Sequence, residues 1–206
     1  MEAGHAGEQR DANLIPVANP IPEPADFHDR CRKPGNLWLK SNGTGRPSDR
    51  WTLFRHDLAD GFNNRCGFGA MWISSGTVDH FVSCDEDRSK AYEWKNYRYV
   101  EGWLNSSKKK HASMELLDPF EVQDDWFEVE LPSLQLRLTD AVPMNIRDRA
   151  EYTITRLPLR DDERVVRQRR AWLKMYEDGA PLKIIEAKAP LIARAIIKYA
   201  WPQILT

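Results

Sequence analysis

The chain has 206 residues, of which 41% are hydrophobic and 30% are charged, and its formal net charge is −1. These values are ordinary for a soluble globular protein with one core. They argue against a uniformly basic nucleic-acid binder, so any nucleic-acid binding must come from local patches. The three cysteines are odd in number and widely spaced, which favours a reducing compartment over a disulfide framework.

No segment has the pattern of a secretory signal or of a membrane span. The first 12 residues are polar, and the longest apolar stretch, 189–201, is interrupted by Arg194 and Lys198. We therefore expect a cytoplasmic protein without membrane contact.

Residues 1–48 are rich in turn-forming residues and contain six prolines after position 15. We interpret this region as an extended, Pro-rich N-terminal arm, in which Trp38 and Leu39 are the residues suited to dock on the remainder. An interaction tail is the alternative. The main domain is then expected to span 49–206.

The first predicted elements of that domain are a helix and a hairpin. Ser48 is a suitable cap for a helix from about Asp49 to Gly61. Short strands are predicted over 70–73 and 77–81, separated by a Ser-Ser-Gly turn. The aromatic residues between Tyr92 and about Lys109 suggest helical structure beside this hairpin.

The second half is predicted to contain another hairpin and two long helices. Apolar and polar residues alternate over 125–138, with a turn at Pro132 and Ser133. Asp161 or Asp162 is expected to cap a helix that Gly179 ends. A last helix is predicted over about 182–200, with an interruption before Pro190.

One group of residues has the composition of a small one-metal nuclease site. Asp79 offers a hard oxygen ligand, and His80 offers a base that is active near neutral pH. Asn96 and Asn105 follow within about 25 residues and offer amide oxygens. Phosphodiester hydrolysis needs an activated water and neutralisation of charge on the phosphate, so we assign the general base to His80.

Over roughly 51–176 the chain resembles the HNH endonuclease family, in particular its stand-alone bacterial members. The resemblance rests on Cys-Gly-Phe at 66–68, Val-Asp-His-Phe at 78–81, Trp-Lys-Asn-Tyr-Arg at 94–98, Asn-Ser-Ser-Lys-Lys at 105–109 and Leu-Asp-Pro-Phe at 117–120. It implies an α+β fold with a ββα-metal core (the His-Me finger), which the second hairpin and the C-terminal helices would extend.

The resemblance also implies roles for the site residues. Asp79 and Asn105 would ligate one Mg²⁺ or Mn²⁺ ion, and Asn96 would hold the loop that carries the base by hydrogen bonds. The catalytic set is therefore His80, Asn96 and Asn105. The expected phosphate contacts are Lys108, Lys109 and Arg98. Asp118 is placed to brace the motif.

The chain also departs from the family. Gly69, Glu101 and Leu104 stand where many relatives have cysteines of a structural zinc site, so we expect no such zinc. The implied activity is metal-dependent cleavage of DNA, in a bacterial restriction or antiphage defence system with an ATPase or sensor partner. Oligomerisation stays open. The alternatives are an RNA or tRNA nuclease and a non-enzymatic adaptor that binds nucleic acid or protein.

Overall fold

A computed structural model describes residues 21–42, 45–108 and 111–204 of the chain. The fold is mixed α+β, with two small antiparallel hairpins and several helices. The strands are β1 (Thr77–His80), β2 (Tyr97–Val100), β3 (Phe127–Glu130) and β4 (Gln135–Leu138). The helices are α1 (Lys33–Asn42), α2 (Arg55–Gly61), α3 (Gly102–Lys108), α4 (Met144–Arg156), α5 (Glu163–Glu177), α6 (Leu182–Lys188) and α7 (Pro190–Ile204). Within the described ranges, no helix combines the length and apolarity that crossing a bilayer requires.

The first hairpin pairs β1 with β2, in a register that places Thr77 opposite Val100 and His80 opposite Tyr97. The expected strand over 70–73 is wrong, because Trp72 forms only an isolated bridge with Arg65. The expected helix from Tyr92 is also wrong before Gly102. All four residues of β2 are buried, and its tyrosines and valine are strong strand formers, so pairing with β1 takes precedence over helical spacing.

The second hairpin and the last helices follow the predictions, whereas α4 was not predicted. β3 and β4 form the second hairpin, with Pro132 and Ser133 between them. Asp162 caps α5 by accepting a hydrogen bond from the Arg164 N–H, and Gly179 has the positive φ of 99° typical of a helix end. The break between α6 and α7 falls at Ala189, directly before Pro190, as predicted.

Residues 21–42 are helical and packed, in contrast to the expected extended arm. A π-helical turn over His28–Arg32 runs into α1, and Pro34 lies near this junction, where the backbone hydrogen-bond pattern changes. Phe27 and Cys31 are completely buried. Gly35 lies so close to the Tyr92 ring that a Cβ atom there would be 2.4 Å from it. Residues 1–20 of the expected arm lie outside the described residues.

A single apolar core joins the N-terminal segment, both hairpins and the C-terminal helices. α7 packs across β3, and its buried face continues the core through Ile192 and Ala193. The core therefore begins at Ile21 rather than at residue 49. The core packs against β1 and β2, and the C-terminal end of β1 lines a groove.

Candidate functional site

Asp79, His80 and Asn105 line one polar groove with a volume of about 630 Å³. β1 supplies Asp79 and His80, and α3 supplies Asn105, so the hairpin and the helix that follows it form one wall. Residues 45–51, before α2, and residues 83–88, after β1, contribute most of the other lining, including Trp51 and Cys84. Three residues predicted from the sequence as a site therefore meet in one place.

Asp79 is almost completely buried, and its two carboxylate oxygens differ in their surroundings. Oδ1 lies 3.1 Å from Nζ of Lys108. Oδ2 is enclosed but accepts no hydrogen bond from any described residue. Burial raises the pKa of Asp79 above its usual range, and the Lys108 charge opposes that shift. An enclosed carboxylate oxygen without a donor is what a bound cation would satisfy.

Lys108 lines the groove, but its ammonium group is bound inside the protein. Its Nζ donates to Asp79 Oδ1, to the His80 carbonyl at 2.7 Å and to the Phe81 carbonyl at 2.9 Å. An ammonium group has three N–H donors, so all of them are used. Lys108 thus joins the end of α3 to the end of β1, and the expected phosphate contact by this residue does not agree with its burial.

The His80 imidazole is mostly enclosed and is held in one orientation. Its Nε2 lies 2.9 Å from the Ala91 carbonyl, and because a carbonyl only accepts, Nε2 carries the hydrogen. The rings of Trp51 and Tyr97 meet the imidazole edge to face at 4.5 and 5.0 Å. Burial lowers the pKa of His80 to about 4, so at neutral pH the ring is uncharged and Nδ1 keeps a lone pair.

Asn96 braces the two segments that flank His80. Its Oδ1 accepts from the Val82 N–H at 2.8 Å, and its Nδ2 donates to the carbonyls of Val82 and Lys90 at 2.9 and 3.2 Å. Val82 is two residues beyond His80, and Lys90 precedes the Ala91 carbonyl that binds the imidazole. The geometry matches the loop-holding contact expected of Asn96.

Asn105 is only partly buried and lies on the first turn of α3. Its Nδ2 donates to Thr77 Oγ1 at 3.0 Å. Thr77 and Asp79 share one face of β1, because side chains two residues apart on a strand point the same way. Because the amide nitrogen donates to Thr77, the amide oxygen is the atom of Asn105 that could bind a cation.

Arg98 was expected to contact nucleic acid, but it lies inside the protein. Its guanidinium donates from Nε and Nη2 to the Asp118 carboxylate and from Nη1 to two backbone carbonyls. It stacks 3.7 Å from the centre of the Phe120 ring. Asp118 thus braces β2, as predicted. Lys109, the remaining expected phosphate contact, lies outside the described residues.

The donor set suits a hard divalent ion held by few protein ligands. Among residues 21–42, 45–108 and 111–204, no three His, Cys, Asp or Glu side chains form a metal-holding cluster. Asp79 Oδ2 and the Asn105 amide oxygen are still available, and Mg²⁺ commonly keeps several waters.

The buried Cys66 sulfur accepts from the Gly69 and Glu101 N–H groups at 3.4 and 3.5 Å, and burial raises the pKa of this thiol.

The sequence interpretation missed two arginines of the groove, Arg46 and Arg88. Arg46 lies in a loop 34 residues before His80, and Arg88 begins a short 3-10 helix (Arg88–Lys90) eight residues after it. No motif marks either residue. Comparison of the chain with protein-family models, curated proteins and solved structures found no match. The family resemblance therefore stays a prediction from the residues named above.

Proposed function

We propose that the groove hydrolyses phosphodiester bonds in DNA, with His80 as the general base and one Mg²⁺ or Mn²⁺ ion held by Asp79 and Asn105. The observation that supports this most is that one groove is lined by His80, whose imidazole is uncharged, and by Asp79, which has an enclosed carboxylate oxygen without a donor. A base and a cation ligand are the two components that hydrolysis of a phosphodiester requires from such a site.

In this proposal each residue of the chain has a defined task. His80 accepts the proton of the attacking water at Nδ1, while its Nε2–H bond to the Ala91 carbonyl fixes the ring. Asn96 keeps the segments on both sides of that ring in place. Lys108 fixes the Asp79 carboxylate through Oδ1 and leaves Oδ2 for the cation. The bound cation would supply Lewis-acid stabilisation of the leaving oxygen.

The test is cleavage of supercoiled plasmid with Mg²⁺, Mn²⁺ or EDTA. We expect metal-dependent nicking or linearisation by the wild type and loss of at least about 100-fold in rate for His80→Ala, as for removal of a general base. His56→Ala is the matched control, because His56 is exposed on α2, outside the groove. Full cleavage by His80→Ala would refute the assignment of the base.

Two further measurements separate the alternatives. Mn²⁺ binding, followed by calorimetry, should be lost in Asp79→Asn if Asp79 is the main ligand. Cleavage of RNA in preference to DNA would favour the RNA nuclease, and nucleic-acid binding without cleavage in any metal would favour the adaptor. The cytoplasmic location and the dependence on an ATPase or sensor partner stay predictions.

A further inference from the structure

Two arginines at the groove have no acidic partner. Arg46 and Arg88 line the groove with Asp79 and His80, and neither forms an ion pair with any carboxylate in the described part of the chain. Many other arginines of the protein do have such a partner, and even the fully solvated Arg167 pairs with Glu163. Two guanidinium groups without counter-charge beside a polar groove suit an anionic ligand.

The two arginines come from separate segments, the loop at 45–47 and the 3-10 helix Arg88–Lys90, which a hydrogen bond joins. Arg88 Nη1 donates to the Gly45 carbonyl at 2.6 Å, and Gly45 directly precedes Arg46. The Arg88 guanidinium also lies 6.0 Å from the centre of the Trp38 ring. Its Nη2 is enclosed and finds no acceptor among the described residues. Arg88 thus holds the segment before Arg46 in place through Nη1, while Nη2 is left without an acceptor.

The charges of the groove favour an anion close to His80. Among the side chains that line the groove, Asp79 and Lys108 neutralise each other, which leaves Asp85 opposed to Arg46 and Arg88. Asp49 does not line the groove, but its charge also acts on His80. Arg46, Arg88 and His80 line the same groove. A ligand phosphate between the two arginines would therefore lie beside the proposed base.

We propose that Arg46 and Arg88 clamp the phosphodiester backbone of DNA and hold it against His80. The inference rests on the proposed function of the same groove and names the residues that bind its substrate. It replaces Lys108 and Arg98, whose N–H groups are already used inside the protein. A guanidinium fork matches the oxygens of a phosphate, and both arginines line the same groove.

The experiment measures equilibrium binding in EDTA, so that no cleavage occurs. A fluorescent DNA duplex of about 20 base pairs is titrated with the full-length protein and followed by anisotropy. Arg46→Gln and Arg88→Gln are each expected to weaken binding about fivefold to tenfold and to lower the slope of log affinity against log salt by about 1. Arg167→Gln removes the same charge from an exposed side chain that does not line the groove, and it should change the affinity by less than about twofold.

The Arg88→Gln substitution removes the hydrogen bond to the Gly45 carbonyl and can therefore change the loop. Arg46→Gln changes an exposed side chain and is the deciding variant. Thermal unfolding of each variant checks that the fold persists. Equal affinity of wild type and Arg46→Gln would overturn the clamp, even if the wild type cleaves plasmid. Weaker binding by Arg46→Gln with no cleavage by the wild type would support the clamp and contradict the proposed function. Tighter binding of an RNA of equal length would overturn the assignment to DNA.

Discussion

Lys108 Nζ and Asp79 Oδ1 form a buried ion pair at 3.1 Å, in which the two side chains are only 5% and 3% exposed. The pair joins the last residue of α3 to the third residue of β1. It is the main electrostatic contact of Asp79, the side chain proposed to bind the metal ion. A buried pair of this kind adds less to stability than its charges suggest, because both groups lose their hydration. Its value lies in fixing the Asp79 carboxylate relative to the groove.

Removal of one side chain of the Asp79–Lys108 pair should lower the free energy of unfolding. We expect Lys108→Met to lower the free energy of unfolding by roughly 3–5 kcal/mol, because it leaves the Asp79 carboxylate buried without a cation and two carbonyls without a donor. The measurement is urea unfolding. Lys174→Met is the control, because Lys174 is exposed and pairs with Asp178 on the surface.

The Asp79→Asn substitution in the Lys108→Met background should restore part of the lost stability, because the unpaired charge is then absent. Equal costs for Lys108→Met and Lys174→Met would contradict the buried pair. The double-mutant cycle also gives the coupling between the two side chains directly.

Asn96 tests whether bracing of the segments beside His80 matters for activity. In Asn96→Asp a carboxylate oxygen replaces Nδ2 and faces the Val82 and Lys90 carbonyls, so we expect a loss of about 2–4 kcal/mol in stability. If Asn96 positions the base, kcat should fall in plasmid cleavage while Mn²⁺ affinity stays constant.

The control for this experiment is Asn145→Asp, which adds the same charge on an exposed position of α4. A parallel loss of kcat and of Mn²⁺ affinity in Asn96→Asp would indicate general damage to the site rather than a positioning role.

The grouping of the Asp79-His80 strand with Asn96 and Asn105 could be predicted, because these residues are close along the chain. Turn residues before Thr77 and the short spacing to α3 limit where these elements can go. The pairing of β1 with β2 was missed, because the tyrosines of β2 are buried on both faces and show no alternation. Strand pairing of this kind depends on the whole core.

The charged partners could not be predicted. Lys108 was expected to contact phosphate, and only the direction of α3 relative to β1 brings its Nζ to Asp79. The approach of Arg88 to Gly45 crosses 43 residues and depends on the packing of two irregular loops. Residues 21–42 looked extended because of their prolines, yet burial of Phe27 and Cys31 outweighs this local tendency.

Phe27 tests the inclusion of the N-terminal segment in the core. Its ring meets those of Phe54, Trp94 and Tyr97 at 5.0, 5.3 and 5.9 Å. We expect Phe27→Ala to cost about 3–5 kcal/mol in urea unfolding, because it leaves a cavity among these rings. Leu37→Ala, in the same segment but 60% exposed, should cost less than about 0.5 kcal/mol. Equal small effects would mean that the segment does not pack on the domain.

His80 makes stability depend on pH in a defined window. Its pKa is about 4 in the folded protein, against 6.5 in the unfolded chain, because burial disfavours the charged imidazole. The unfolded chain therefore binds the proton more readily, and the contribution of His80 to stability is complete above pH 6.5 and decreases as the pH falls towards 4. Between pH 7 and 4.5 the expected loss is on the order of 2–3 kcal/mol.

Urea unfolding of wild type and His80→Gln at several pH values measures this loss. Glutamine can still donate a hydrogen bond towards the Ala91 carbonyl but does not titrate, so the difference between the two proteins isolates the imidazole from the carboxylates that titrate in the same range. The wild type should lose stability relative to His80→Gln as the pH falls from 6.5 to 4.5. A constant difference across this range would mean that the imidazole is as accessible to protons in the folded protein as in the unfolded chain, and it would contradict the enclosed, uncharged His80.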